Sequence, residues 1–260
     1  MIPKIIHYCW FGHKKKPRIA KKCIKSWKKH LPDYQIIEWN EDNYDIASAP
    51  AFVQQAFEAK KWAFATDYIR YQVVYEYGGI YFDTDVEILK NIDSFRKDKA
   101  FFGIQGEKAI ASGLGFGAEK GTAILLDLMN NYRNIPFLLP DGTFDVTPCP
   151  QRDAQVFIKH GYQQDGREQI IKGGIHIYPS EYFCPYSWYG GKIKKTENTV
   201  AIHWFAASWF TKEQKKEKRG ILRKERWYHF NHCSKLFLKT FMGEKKYERL
   251  KTVIKGNHLE

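Results

Sequence analysis

With 260 residues, 43% of them hydrophobic and 27% charged, the chain can bury a core of ordinary size, which excludes a disordered or fibrous polypeptide. No run approaches the ~20 apolar residues of a membrane span, and the opening Met1-Ile2-Pro3-Lys4 has no secretory pattern, so a cytoplasmic protein is expected. The net charge of +13 sits at the ends: residues 1–30 carry ten Lys/Arg and no Asp/Glu, 211–260 carry fifteen against six, and 31–210 carry seventeen against twenty-three.

In chain order, residues 4–10 predict a buried strand, 13–18 a Lys-rich loop, and 19–30 a basic helix with Ile19, Cys23, Ile24 and Trp27 on one face. Leu31-Pro32-Asp33 stops that helix, and 34–39 predict a second strand, the β-α-β opening of an α/β sheet. Helices are expected over 50–61 and 62–77, the second ended by Gly78-Gly79. Ile80 to Phe82 reads as a strand running into Asp83-Thr84-Asp85. Further strands are expected near 100–105, 112–117, 175–178 and 199–204, and helices over 121–132 and 152–159. Residues 134–150, rich in proline, glycine and aspartate, read as a functional loop. The whole is one α/β domain over 1–210 with a basic helical extension over 211–260. Cys9, Cys23, Cys149, Cys184 and Cys233 are odd in number, scattered and without a CxxC, the pattern of reduced thiols.

The chemistry concentrates at Asp83 and Asp85. In an extended chain, side chains alternate, so Tyr81, Asp83, Asp85 and Glu87 share one face, and the two carboxylates stand about 7 Å apart. Ile80, Phe82, Val86 and Ile88 are left to anchor the other face. Two carboxylates without competing thiols suit Mg2+ or Mn2+, cations that in turn hold a diphosphate. A bare Asp-x-Asp is as readily a solvated turn; its surroundings decide.

Those surroundings are Ala65-Thr66-Asp67-Tyr68-Ile69-Arg70-Tyr71 and Tyr77-Gly78-Gly79-Ile80-Tyr81-Phe82-Asp83-Thr84-Asp85. Together they resemble the sugar-binding region of glycosyltransferase family 32. The opening Ile2 to Gly12 and the run Ala201-Ile202-His203-Trp204-Phe205-Ala206-Ala207-Ser208-Trp209 resemble that family's start and close. The resemblance spans roughly residues 2 to 209. It implies a GT-A fold, a Rossmann-like mixed sheet flanked by helices, and a retaining transfer from a nucleotide-sugar, UDP-linked by preference. The moved sugar would be a hexose or N-acetylhexosamine, and the acceptor a surface or capsular polysaccharide or a lipid-linked oligosaccharide. It further implies that Tyr8 and Trp10 meet the donor nucleotide and that Asp67 and Arg70 contact its sugar and ribose. Tyr81 would stand beside them, with Asp83, Asp85 and His203 at the metal, and with Ser208 and Trp209 closing over the diphosphate or base. Asp67 and Arg70, three apart on a helix, share a face and offer sugar hydroxyls both acceptors and donors. An i,i+3 ion pair is the plainer alternative for them, core packing for Trp10, and a satisfied buried histidine for His203.

Other features are weaker. Asp153, after Thr147-Pro148-Cys149-Pro150-Gln151-Arg152, reads as a helix cap, with sugar contact as the alternative. The alternating Gly113, Gly115 and Gly117 let backbone approach closely, and they and the nearby Ser112 read as tight packing, with a border on the acceptor cleft as the alternative for Ser112 and Gly113. The basic ends, and the aromatics of 211–260, suit an anionic membrane surface as well as ordinary solvated helices. Ile80-Tyr81-Phe82-Asp83-Thr84-Asp85-Val86 also resembles the nucleophile motif of haloacid-dehalogenase phosphatases, but the later acidic cluster those enzymes need is missing. A nucleic-acid binder would place its positive charge where this chain is acidic, so no nucleic-acid partner is expected.

Overall fold

A computed structural model describes residues 1–186, 193–206, 216 and 220. Met1–Trp188 with Lys192–Trp209 form one compact unit; the second, Tyr189–Gly191 with Phe210–Glu260, lies almost wholly outside the described residues, and with it the expected basic helical extension.

The chain opens β1 (Ile5–Cys9), α1 (Arg18–His30), β2 (Gln35–Trp39), as expected. Ala20, Cys23 and Trp27, spaced three and four apart, are the fully buried stripe of α1; Ile19 and Ile24 lie at its half-buried edge. The Trp27 indole N–H donates to the Val86 carbonyl at 2.7 Å, which ties α1 to the strand β4 (Val86–Ile88). Next come α2 (Ala51–Glu58) and α3 (Trp62–Tyr77), the latter buried along most of its circumference. Gly78 and Gly79 end α3 with φ of +67° and +112°, a region that side chains disfavour. At Gly79 there is also no room, since a Cβ would lie 2.7 Å from the Ile5 carbonyl oxygen. The chain therefore reverses directly into β3 (Gly79–Tyr81), which runs parallel to β1.

The remaining strands are β5 (Ala100–Gln105), β6 (Ala109–Ile110), β7 (Phe116–Ala118), β8 (Gln169–Ile171), β9 (Ile175–Tyr178) and β10 (Ala201–His203). The remaining helices are α4 (Ala123–Arg133), α5 (Cys149–Lys159) and α6 (Ser180–Phe183). The main sheet runs β2-β1-β3-β7-β5-β9-β8, with β6 paired to β5. Its β2-β1-β3 end is parallel, and β7 is antiparallel to both β3 and β5. One apolar cluster packs α2, α3, α4 and α5 on one face; the other packs α1 and α6 on the opposite face. The α/β class and the helix-flanked mixed sheet expected of a GT-A arrangement are both present. A second, two-stranded sheet pairs β10 with β4.

Three local expectations need correction. Extended chain does not continue through the carboxylates: β3 stops at Tyr81, and the Val86 N–H reaches back to the Asp83 carbonyl at 3.0 Å, closing a turn. The even alternation from Tyr81 to Glu87 is thus interrupted. Residues 112–117 are a 3-10 turn (Ser112–Leu114) followed by β7, not one strand. Helix α5 starts at Cys149, so Asp153 lies a turn inside it and is no cap.

Candidate functional site

Four pieces of chain converge at the C-terminal end of β3. Helix α3 supplies Asp67 and Arg70, the turn after β3 supplies Asp83 and Asp85, the 3-10 turn supplies Ser112 and Gly113, and β10 supplies His203.

Arg70 organises the first half. It is 5% exposed, and its Nη2 lies 2.8 Å from Asp67 Oδ1 and 3.6 Å from Asp83 Oδ1. Its Nη1 donates to the Ser112 hydroxyl at 3.1 Å and its Nε to the Thr66 carbonyl at 3.1 Å. The Tyr81 ring lies 5.2 Å from the guanidinium carbon, and the Tyr81 hydroxyl donates to Asp83 Oδ1 at 3.1 Å. The i,i+3 pair is therefore formed, but it is buried and shared with Asp83 rather than solvated. Burial pushes Asp67 up to about 7 against the pull of Arg70. Burial likewise raises Asp83, with Arg70 opposing.

Behind Arg70 lies a hydrogen-bonded chain. Ser112 Oγ is 3.1 Å from Cys149 Sγ, which donates to Asp153 Oδ2 at 3.3 Å. The Tyr71 hydroxyl donates to the same oxygen at 2.6 Å and Asn131 Nδ2 to Oδ1 at 3.1 Å. Asp153 is 1% exposed, so these donors offset the cost of burying its carboxyl. Ser112 and Asp153, read from sequence as packing and cap, are thus wired to Arg70. Tyr71 and Asn131 escaped notice, because nothing in their sequence neighbourhood marks a partner 82 or 22 positions away.

The second half surrounds Asp85. His203 Nε2 donates to Asp85 Oδ1 at 3.1 Å, the Ala206 N–H donates to Oδ2 at 2.7 Å, and the Trp204 N–H donates to the Asp85 carbonyl at 3.0 Å. The β4–β10 ladder, with His203 opposite Val86, sets this meeting across 118 positions. Burial raises the Asp85 carboxyl, but His203 and the two donated hydrogen bonds outweigh it, and the net shift is downward. Burial lowers His203, but Asp85 outweighs it and the net shift is upward. The backbone donors of Trp204 and Ala206 were not foreseen, since a main-chain N–H leaves no mark in the sequence.

Asp83, Asp85 and His203 each offer a ligand atom, all within 4.8 Å of one another. His203 Nδ1 is buried and has no hydrogen-bond partner among the described residues. Two carboxylates and an imidazole with an unengaged nitrogen fit Mn2+, and through their oxygens Mg2+, better than a thiolate-seeking ion. The four described cysteines are buried and unpaired; none belongs to this trio.

Not every expected residue joins the group. Tyr8 is 6% exposed, donates its hydroxyl to the Glu38 carboxylate and sits edge-on to Trp27 at 5.5 Å. The half-buried Trp10 donates its indole N–H to the Lys14 carbonyl at 2.6 Å. Lys16 Nζ lies over both rings, at 5.8 and 5.5 Å. Tyr8 and Trp10 thus engage partners near the end of β1, on α1, β2 and the loop after β1, rather than in the Arg70 cluster. Ser208 and Trp209 lie outside the described residues.

Residues 17–102 match a family described as glycosyltransferase sugar-binding region containing DXD motif. The chain is 28% identical over 142 residues to inositol phosphoceramide mannosyltransferase 3 of Schizosaccharomyces pombe, a match covering 52% of this chain and 38% of that protein. It thus spans well under half the length of that curated relative. Among solved structures, the PaToxG glycosyltransferase aligns at 19% identity and a TM-score of 0.44, over 61% of this chain and 69% of its own. A glycosyltransferase involved in the glycosylation of the major capsid of PBCV-1 aligns at 11% identity and 0.44, over 84% and 98%. Residues 17–102, with Asp67, Arg70, Asp83 and Asp85 among them, are thus similar to a DXD-containing glycosyltransferase sugar-binding region.

Proposed function

We propose that the chain is a metal-dependent, retaining glycosyltransferase that moves a hexose or N-acetylhexosamine from a nucleotide-sugar to a glycan or lipid-linked oligosaccharide hydroxyl. The observation that carries this reading is the convergence of Asp83, Asp85 and His203 beside the Asp67–Arg70 pair, the four residues other than His203 lying inside the stretch that matches a sugar-binding region.

Asp83, Asp85 and His203 would hold Mn2+ or Mg2+. When bound, such a cation supplies charge neutralisation to a departing diphosphate. Asp67 and Arg70, braced by Ser112 and the buried Asp153, are placed to fix the donor sugar through its hydroxyls. Tyr8, Trp10, Tyr81, Ser208 and Trp209 belong to the donor side of the proposal. In the transfer, the bond between the anomeric carbon and the diphosphate oxygen breaks while the acceptor oxygen bonds the same face. The acceptor proton passes to the leaving phosphate, so no protein base is assigned. Retention rests on the family resemblance. The relative's name specifies a mannosyl donor and a lipid acceptor, so GDP-mannose stands beside the UDP-hexoses as a first donor to try.

No helix among the described residues is long and apolar enough to cross a membrane. Peripheral attachment of a cytoplasmic enzyme through the basic residues of 211–260 belongs to the same proposal. Co-sedimentation with anionic against neutral vesicles tests it, and salt-insensitive recovery with both would contradict it.

The test of the activity is donor hydrolysis across a nucleotide-sugar panel, with Mn2+ and with chelator. Asp83→Asn and Asp85→Asn are each expected to lower the rate by about 10³-fold or more, with the far-ultraviolet circular dichroism unchanged. Wild-type rates in both variants, with chelator without effect, would overturn the assignment.

A further inference from the structure

A hollow of about 380 Å3 lies between the β5–β6 hairpin, the start of α5 and the loop that follows α5. Its volume is within the range of small-ligand sites. Ile110 and Phe157, both buried, give it an apolar floor. Gln105, Lys108, Gln151 and Gln164 bring three carboxamides and an ammonium to its lining. None of these four polar heads makes a hydrogen bond or an ion pair among the described residues.

The walls are fixed in advance. The Tyr162 hydroxyl donates to the Lys108 carbonyl at 2.9 Å, and Gln169 clasps both the N–H and the carbonyl of Gln163, at 2.9 and 2.6 Å. Gly166 abuts the Glu107 carbonyl oxygen so closely that a Cβ would overlap it. Preorganised walls lower the ordering cost of binding. The segments that line the hollow also run on into residues wired to the donor half of the site. Ile110 is two residues from Ser112, which bonds Arg70, and Pro148 and Pro150 flank Cys149, which meets Ser112.

An apolar floor under carboxamides matches the two sides of a pyranose ring. Its C–H face packs on Ile110 and Phe157, while each carboxamide offers a donor and an acceptor to neighbouring hydroxyls. We propose that this hollow is the acceptor subsite and takes a hexopyranose residue of the acceptor glycan. The assignment rests on the transferase reading and adds to it where the acceptor sits.

Saturation-transfer NMR of the full chain with the methyl hexopyranosides of gluco, galacto and manno configuration reads the subsite without turnover. At least one glycoside is expected to give a signal, and Gln105→Ala and Gln164→Ala are each expected to weaken its affinity by about tenfold, the effect of losing one neutral hydrogen bond. No signal from any glycoside, or an affinity unchanged in both variants, would overturn the subsite. Donor hydrolysis in water, without any acceptor, separates the two ideas. A wild type that splits the donor but fails the NMR test loses only the subsite. A wild type that splits no nucleotide-sugar loses the transferase reading and the subsite with it.

Discussion

At the scale of single residues, the site depends on where one carboxylate points. Asp83 receives the Tyr81 hydroxyl, faces Arg70 and donates its own N–H to the Gly113 carbonyl at 3.3 Å. Gly113 has an ordinary backbone, so alanine is tolerated there conformationally, but its Cβ would overlap Asp83 Oδ2 and come within 3.4 Å of Arg70 Nη1. Gly113→Ala is therefore expected to cost about 1–3 kcal/mol in stability as an overpacked site. Its transfer rate is expected to fall by about 100-fold, because a reacting group is misplaced by about 1 Å. Urea unfolding and donor hydrolysis check the two numbers separately; wild-type turnover would mean that Asp83 need not hold its position. Arg70 is the other fixed point. Replacing it leaves Asp67 and Asp83 buried without their cation, a loss usually near 3–5 kcal/mol.

At the scale of elements, the hinge between α3 and β3 decides whether both halves of the donor site meet. Gly79 combines φ of +112° with a Cβ position 2.7 Å from the Ile5 carbonyl. Gly79→Ala is expected to destabilise by about 2 kcal/mol or more, through strain and loosened pairing of β3 with β1. A thermal melt measures it; an unchanged midpoint would show that the reversal tolerates a side chain. This hinge was legible in the sequence, because a glycine pair after a long apolar helix has few other uses. The β-α-β opening was legible for the same local reason, since alternation and the helical stripe of Cys23 and Trp27 need no distant partner. The turn at Thr84-Asp85 was not, because Ile80 and Phe82 before it and Val86 and Ile88 after it keep one apolar alternation. Nor was the pairing of β4, whose partner strand lies beyond residue 200. Among site residues, Asp67, Arg70, Asp83 and Asp85 stood out through spacing and company. Asp153 did not, because a buried carboxylate one turn inside a helix looks the same in sequence as a cap.

At the scale of the whole molecule, β1 joins the parallel end of the sheet through a buried histidine. His7 is fully buried; its Nδ1 accepts the Trp39 indole N–H at 3.1 Å and its Nε2 donates to the Gly78 carbonyl at 2.8 Å, linking β2, β1 and the start of β3. Burial drives its pKa down to about 4, with the Gly78 bond opposing. Below pH 6.5 the unfolded chain binds a proton that the folded chain refuses, so stability present above pH 6.5 is lost as pH falls towards about 4. Between pH 7 and pH 5 that amounts to about 2 kcal/mol. The wild type minus His7→Gln difference in urea unfolding should carry this loss, and an equal pH slope in both proteins would contradict it.

The same sheet end delivers the carboxylates to His203, and the account as a whole stands on what they hold. The most direct measurement is Mn2+ affinity by electron paramagnetic resonance, with and without UDP or GDP, in the wild type and in Asp85→Asn. The account predicts that one of the two nucleotides tightens Mn2+ binding by about tenfold or more and that Asp85→Asn abolishes the site. Equal Mn2+ binding in both proteins, indifferent to either nucleotide, would contradict it.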